Sequence, residues 1–399
     1  MKTVTVNEFD QIYDALRNPN LKQALYDEGK VIMDKVLLTL HGAEHRARRN
    51  LEFKVFRRNF FRYYQQEVFP PALEQTLAPY LEAGRADLID FGYRVTINLT
   101  ADFAGIDRVE KTPEETEDLL RFAKIFSEGA TMVHSTRDKD VLRREVAEAL
   151  IAFDERFVQR SIARRQKLLE KFDAGEISED QLPRDVLTVI LRNEDKVDLP
   201  PDVVLREMAF YLQAGSHSTS NSMVHAFHEI TTWCADHPED RDKIAADPLF
   251  LQRCVHESLR LHPASPESWR SAMCPMKLAD GAKMETGDKV VLDLHQANRN
   301  KDIFGEDADR FNPYREIPKG RDPFGLTFGV GIHTCLGRDL DGGVVPKGEV
   351  DPETHEYGIV TLLVKALLDN NARPDPDDPP TPDPHTSRPN WGRYPVILG

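Results

Sequence analysis

Apolar residues recur at three- and four-residue spacing from Phe9 to about Cys234, in runs such as ETEDLLRFAKIF and REVAEALIAFDERFVQRSIARRQKLLEKF. That is the period of an amphipathic helix, so the first two-thirds of the chain is expected to be α-rich. Beyond Pro263 the pattern shortens. In MKLADGAKMETGDKVVLDL the turn pairs Asp280-Gly281 and Gly287-Asp288 separate brief β-like runs, which concentrates the strands in the last third. The longest helical stretch opens at Pro200-Pro201-Asp202 and runs to about Asp236, where Pro238 stops it. A helix of that length is expected to be central. Yet its middle reads AGSHSTSN, small and polar where core packing calls for Leu or Ile, so a requirement other than packing is expected to select it. Near the end, PDPDDPPTPDPHTSRP is too rich in proline for helix and reads as an extended surface segment. With no internal repeat and no clear linker, residues 1–399 read as one domain, mainly α with a minor β region.

Composition narrows the functions. A 399-residue chain with 40% hydrophobic content can bury a large core. Its 67 acidic residues against 52 Lys and Arg, a net charge of −15, argue against a general affinity for nucleic acid or anionic membrane. The first thirty residues carry acids throughout and no long apolar stretch, so they read as neither signal peptide nor membrane anchor, and a cytoplasmic location is expected. Cys234, Cys254, Cys274 and Cys335 lie far apart without a CxxC pair, and spacing alone reads each as a buried free thiol.

The segment Phe328-Gly-Val-Gly-Ile-His-Thr-Cys-Leu-Gly337 changes that reading for one of them. Glycines at 329, 331 and 337 let backbone approach a flat ligand closely and reach conformations closed to other residues, and amide donors around Cys335 can hold a thiolate. The segment resembles the haem-ligating loop of the cytochromes P450, FGxGxHxCxG, at every fixed position. The resemblance implies that Cys335 ligates the iron of haem b, with Phe328, Gly329, His333 and Gly337 at the cofactor. A second motif, His256-Glu-Ser-Leu-Arg260 followed by Leu261-His-Pro263, resembles the family's ExxR helix, with Ala297-Asn-Arg299 and Asp309-Arg-Phe311 between it and Cys335. Glu257 and Arg260 are one turn apart and can pair. In the family reading Arg310 joins them in a buried structural network bracing the cysteine loop.

Leu40-His-Gly-Ala-Glu-His45 through Arg49 resembles the start of the family helix whose His and Arg face the haem propionates, and Arg270 and His333 match the other two partners. Buried anions require such cationic or hydrogen-bonding groups. Ala214-Gly215-Ser-His217-Ser218-Thr219 aligns with the family's oxygen-binding segment, where Gly215 weakens the helix and a hydroxyl at 218 can bond back to the carbonyl at 214. Here His217 stands where the family has an acid, and Ser218 where it has an alcohol. Histidine exchanges protons near neutral pH, so His217, Ser218 and Thr219 are the expected proton-handling residues. The competing reading has His217 pointing away and only filling space. Two further departures are a short segment ahead of the first haem-contact helix, which suggests reduced N-terminal strands, and an insertion, GGVVPKGEVDPETH, which is expected to interrupt the helix after the cysteine.

The resemblance implies the triangular-prism P450 fold, haem b held between the long central helix and the Cys335 loop. It also implies monooxygenation, in which one atom of O2 enters an apolar small molecule and the electrons come from NAD(P)H through a separate partner such as a ferredoxin. An H2O2-driven peroxygenase, or a haem-binding sensor or carrier without turnover, are the alternatives. Phe210, Gln213 and Ala214 are expected to face the substrate pocket, as is the stretch Ser265 to Trp269 with Ser268. Seven cations between Arg46 and Arg62 (Arg46, Arg48, Arg49, Lys54, Arg57, Arg58, Arg62) against the single acid Glu52 read either as a docking patch for an acidic ferredoxin or as a solvated helix face.

Overall fold

The computed structural model describes residues 2–197 and 199–399. Its axis is the helix Pro201–Asp236, 36 residues long, with proline in its first turn and His237 at its end. The polar middle stays helical: the hydroxyls of Ser216, Ser218 and Ser220 each donate to the carbonyl four residues earlier, at 2.7, 2.6 and 2.6 Å. Much of that composition does serve packing. The helix Leu88–Ala104 lies against it so closely that a Cβ on Gly92 would come within 3.2 Å of the Ser220 backbone, and one on Gly215 within 3.1 Å of Thr100. Thr96 Oγ1 bridges the pair, 3.2 Å from Ser220 Oγ. Leu or Ile in this run would force the two helices apart.

The main sheet has the order Thr3–Val6, Lys289–Asp293, Glu267–Ala272, Leu21–Gln23, the first pairing parallel and the others antiparallel. Two of its four strands thus come from the N-terminus. They are short, four and three residues, and they exist because strands near residue 290 and residue 270 offer free edges. The proline-rich segment forms a hairpin, Thr381–Pro382 against Trp391–Arg393, exposed or half-buried along its tip up to the buried Asn390.

After the cysteine loop the chain forms only a four-residue helix, Arg338–Asp341, and resumes as Ile359–Asp369. The intervening insertion is tied down by buried amides. Gln252 Nε2 donates to the carbonyls of Tyr357 (3.1 Å) and Val344 (3.3 Å), while Gln65 donates to His355 O and accepts from Gly358 N–H, each at 2.9 Å. Three apolar clusters fill the interior: one around Phe103, Phe122 and Leu212, a second around Phe227, Val255 and Leu363, a third between the main sheet and the helix Phe9–Arg17. A large cavity opens where they meet. No described helix is long and apolar enough to cross a membrane.

Candidate active site

The long helix presents Phe210, Tyr211, Ala214, Gly215, Ser218 and Thr219 to this cavity. At about 3.6 residues per turn, positions 210, 214 and 218 stay on one stripe, while 213 and 217 are rotated by roughly a quarter-turn onto the next. Gln213 is buried away from the cavity, which corrects its assignment to the substrate pocket. His217 also leaves the cavity wall: its Nδ1 pairs with Tyr93 Oη, and its Nε2 lies 3.5 Å from Asn390 Nδ2. Burial holds this imidazole well below its usual range, hence neutral. The ring therefore does not stand where it could hand protons directly into the cavity. Thr219 lines the wall, but its hydroxyl is engaged, donating to Asp341 Oδ1 at 2.6 Å. Ser218 remains on the wall, bonded back to Ala214 O.

Opposite the helix, the cysteine loop turns at Gly329 and Gly331, both in the left-handed region (φ +62° and +81°), where a side chain would be strained. Cys335 N–H donates to Phe328 O at 2.9 Å, which closes the loop. The Cys335 side chain is accessible and lines the cavity; the surrounding protein, with the Asp341 carboxyl nearby, pushes its thiol up to about 11. A thiolate there needs a strong Lewis acid. Gly337 has an ordinary backbone, and a Cβ on it would meet nothing within 4 Å, so this side of the loop faces open cavity.

One rim carries His45, Arg49, Arg270 and His333. The two imidazoles lie 4.5 Å apart, and the Nε2 of each is buried without a partner among the described residues. Burial, reinforced by the neighbouring guanidinia, lowers His45 to about 4 and His333 to about 2. Arg49 Nη2 donates to Thr334 O at 2.5 Å; Arg270 Nη1 donates to Gln23 Oε1 (2.8 Å), Ser268 Oγ (2.7 Å) and Trp269 O (2.9 Å). Burial lowers Arg270 to about 10, and neither guanidinium forms a salt bridge among the described residues. One buried and one half-buried cation, with two orphaned ring nitrogens and no acid, call for an anion the protein does not supply, and haem propionates fit that demand. Ser268 lines the cavity, yet its hydroxyl already serves Arg270.

The bracing network is present with one change of member. Arg260, fully buried, donates through Nε and Nη2 to Glu257 (2.8 and 2.7 Å) and through Nη1 to Asn298 O and Ala308 O (2.5 and 2.7 Å). The third side chain of the network is Arg315, whose Nε donates to Glu257 at 2.9 Å. Arg310 is exposed and offers only its carbonyl, which accepts from Arg315 at 3.0 Å, so its place in the network passes to Arg315. The turn after Phe311 reverses the chain and brings position 315 back over Glu257, with Asn312 N–H also donating to it at 3.1 Å. Asn298 and Thr327 connect the network to the loop: Asn298 Oδ1 accepts from Leu326 N–H, and Thr327 Oγ1 donates to Leu259 O, each at 2.7 Å.

Several residues at the cavity carry no motif and were missed from sequence: Gln23 and Tyr26 in the N-terminal segment, Tyr211, and Asp341, whose carboxyl burial pushes up to about 6. Its position in the short helix just after the loop was the one available signal. Beside Tyr211 lies a second buried network. Arg48 binds Glu52 (2.9 Å) and Glu207 (2.5 Å), Tyr211 Oη donates to Glu52 (2.5 Å), and Leu37 N–H donates to Glu207 (3.0 Å). Two carboxylates share one guanidinium here, and burial together with Glu52 pushes Glu207 up to about 8 from 4.5. The folded state then keeps a proton that the unfolded chain has lost, so stability falls as pH rises through this window. The buried, neutral His134, His256 and His262 act in the opposite sense, but only below about 6.5. Glu207→Gln is therefore expected to flatten the decline between pH 6.5 and 8 that urea midpoints show for the wild type; equal slopes would contradict the shared proton.

The Cytochrome P450 family model matches residues 23–340. Pulcherriminic acid synthase of Bacillus subtilis (strain 168) is 24% identical over 350 residues, covering 83% of this chain and 77% of that protein. Among solved structures, CalO2 superposes with a TM-score of 0.77 at 18% identity, over 99% of this chain and 90% of that one. The P450 heme domain of Tepidiphilus thermophilus gives 0.72 at 18% identity, over 99% and 88%. The family model runs through the long helix, the bracing network and the cysteine loop that together enclose the cavity, and the chain belongs to the cytochrome P450 family.

Proposed function

We propose that the protein uses O2 and two electrons from a separate carrier to insert one oxygen atom into a small, mainly apolar molecule, releasing the other as water. The observation that carries this is the Cys335 thiol facing Ala214 and Ser218 across one cavity, with an acid-free rim of two guanidinia and two imidazoles. Haem iron, when bound, supplies the oxygen chemistry, and a thiolate ligand favours O–O cleavage. The chain's residues hold and shield it. Cys335 Sγ is the metal ligand; Arg49, Arg270, His45 and His333 bind the propionates; Phe328, Gly329 and Gly337 pack at the macrocycle. Ala214 and Gly215 would leave room for it, Phe210 and Ala214 bound the substrate, and Ser218 Oγ, which donates only within its own helix, is the proton-handling hydroxyl, while Thr219 pairs with Asp341. The cavity takes residues from Leu16 to Ile359, which supports reading the chain as one domain.

Ser218→Ala is expected to keep substrate and CO binding while diverting reducing equivalents to H2O2. His217→Ala, whose ring is held by Tyr93 off the wall, should leave the ratio of product to NAD(P)H consumed unchanged. Measuring that ratio in H2O and D2O decides; full coupling in the Ser218 variant removes its role.

The electron donor docks on the cysteine side. Arg46, Lys54 and Arg57 are exposed and form no salt bridge among the described residues, while Arg58 and Arg62 share the buried Glu356 at 2.9 and 3.6 Å. Arg48 and Arg49 turn inward, so five of the seven cations form the patch for an acidic ferredoxin. The deciding assay is oxidation with NAD(P)H, ferredoxin and reductase against H2O2 alone. Arg57 and Arg58 reversed to Glu should slow electron transfer at low salt, with a weaker salt dependence. Product from peroxide only would replace this reading with a peroxygenase.

A further inference from the structure

Of the described residues that line the cavity, Asp341 is the single carboxylic acid. It ends the short helix Arg338–Asp341, and the chain around it fixes its place. Asp341 N–H donates to Gly337 O (2.8 Å), Gly342 N–H donates to Arg338 O (2.9 Å), and Gly342 O accepts from His256 Nε2 (2.7 Å). A Cβ on Gly342 would meet the Phe328 ring at 3.1 Å, so the turn packs against the start of the cysteine loop. From there the carboxyl reaches the long helix, where Thr219 Oγ1 donates to its Oδ1 at 2.6 Å. Thr219 lines the same cavity, next in sequence to Ser218.

No cation claims this acid among the described residues. Arg338, on the same helix, pairs with Asp339 at 2.8 Å; from the long helix the Thr219 hydroxyl bears on Asp341, and from the loop Cys335 feels its charge. The surrounding protein raises the carboxyl to about 6, against the pull of the Thr219 hydrogen bond. It can therefore hold and release a proton near neutral pH. Inserting one atom of O2 and releasing the other as water consumes two protons, and the long helix turns no acid of its own to the cavity. His217 is held by Tyr93 off the wall, and Ser218 donates only to Ala214 O. A hydroxyl passes a proton on but is no reservoir of protons at neutral pH, so a source is needed elsewhere on the wall.

We propose that Asp341 supplies the protons that the oxygen chemistry consumes, passing them into the cavity through Thr219 Oγ1. This rests on the cavity being the oxidising site and adds the origin of its protons. The protonated carboxyl gives its hydrogen to Thr219 Oγ1 as that hydroxyl gives its own to a water in the cavity. One O–H bond forms and one breaks at the threonine, and the carboxylate left at 341 regains a proton from solvent on its partly exposed side. Asp341→Asn keeps the side-chain shape and an acceptor for Thr219 but cannot carry the proton, so it separates proton supply from packing. The haem-loaded protein is given NAD(P)H, ferredoxin and reductase with O2 alone, and the O2 reduced to water is measured as NAD(P)H consumed beyond the H2O2 formed. Asp341→Asn and Thr219→Val should lower that rate about a hundredfold with haem content and the CO complex unchanged, and Thr219→Ser should restore most of it. Infrared difference spectra of the same loaded proteins give a readout without turnover. The wild type should show a protonated-carboxyl band that is lost as pH rises through about 6, absent in Asp341→Asn and displaced in Thr219→Val. Absence of that band from the wild type, or water formed as fast by Asp341→Asn as by wild type, overturns the proposal. So does loss of haem in both Asp341→Asn and Thr219→Val, which would make the pair structural. The two readings fail differently: a wild type that reduces no O2 under NAD(P)H removes the monooxygenase reading and the relay with it, whereas equal rates in wild type and Asp341→Asn remove the relay alone.

Discussion

Cys335→Ser is expected to lose entirely the red-shifted Soret band that the reduced, CO-bound protein owes to a thiolate ligand, while its far-ultraviolet circular dichroism stays that of the wild type. The two halves of this result have separate causes. The band depends on sulfur donating electron density to iron, which an alcohol does not reproduce. The fold does not depend on the side chain. Cys335 contributes its N–H to Phe328 O, a backbone bond that serine keeps, and the loop is shaped by Gly329 and Gly331. Cys234 and Cys254 are buried among apolar side chains and Cys274 lies partly exposed, and none lines the cavity. Alanine at any of these three should leave the band intact. Its survival in Cys335→Ser would mean that another ligand is used.

The second large effect belongs to Glu257. Its carboxylate receives Arg260, Arg315 and the Asn312 amide, and its removal leaves the buried Arg260 guanidinium without a counter-charge and Arg315 with Asp307 as its remaining acid, at 2.6 Å. Breaking such a pair costs about 3 to 5 kcal/mol, against a total stability of about 5 to 15 kcal/mol. Glu257→Ala and Arg260→Ala should therefore be recovered without haem or as insoluble protein, because the same contacts hold Asn298 and Thr327 against the start of the cysteine loop. Arg315→Ala should approach them. Arg310→Ala should lie within about 0.5 kcal/mol of wild type, as surface substitutions do. Haem content and denaturation midpoints of the four variants check this ordering. A soluble, fully loaded Glu257→Ala, or equal losses at 310 and 315, would contradict it.

How far the sequence was legible depends on the range of the interaction. Features written within one turn or one loop were readable: the 3.6-residue pattern of the helices, proline at the start and end of the central one, the glycine turn around Cys335, the single-turn pair Glu257 and Arg260, and the break in the helix after Gly337. Each is local, so a window of about ten residues contains its physical cause.

What lay outside such windows was decided by tertiary structure. The strands Thr3–Val6 and Leu21–Gln23 are too short to show a period and exist through partners near residues 290 and 270. Gln213 and His217 sit in the right segment but on the wrong stripe of the helix, since the phase of a helix against its neighbours is set by packing and not by its own residues. Arg315 replaced Arg310 because a turn reverses the chain between them. Asp341 carried no motif until the fold brought its carboxyl against Thr219 at the cavity. By itself the sequence determined the family, a mainly helical scaffold built around the loop that carries Cys335, because those signals are local and chemically specific. Which charges face the cavity, and so what the protein can hold there, was determined only when distant segments came together.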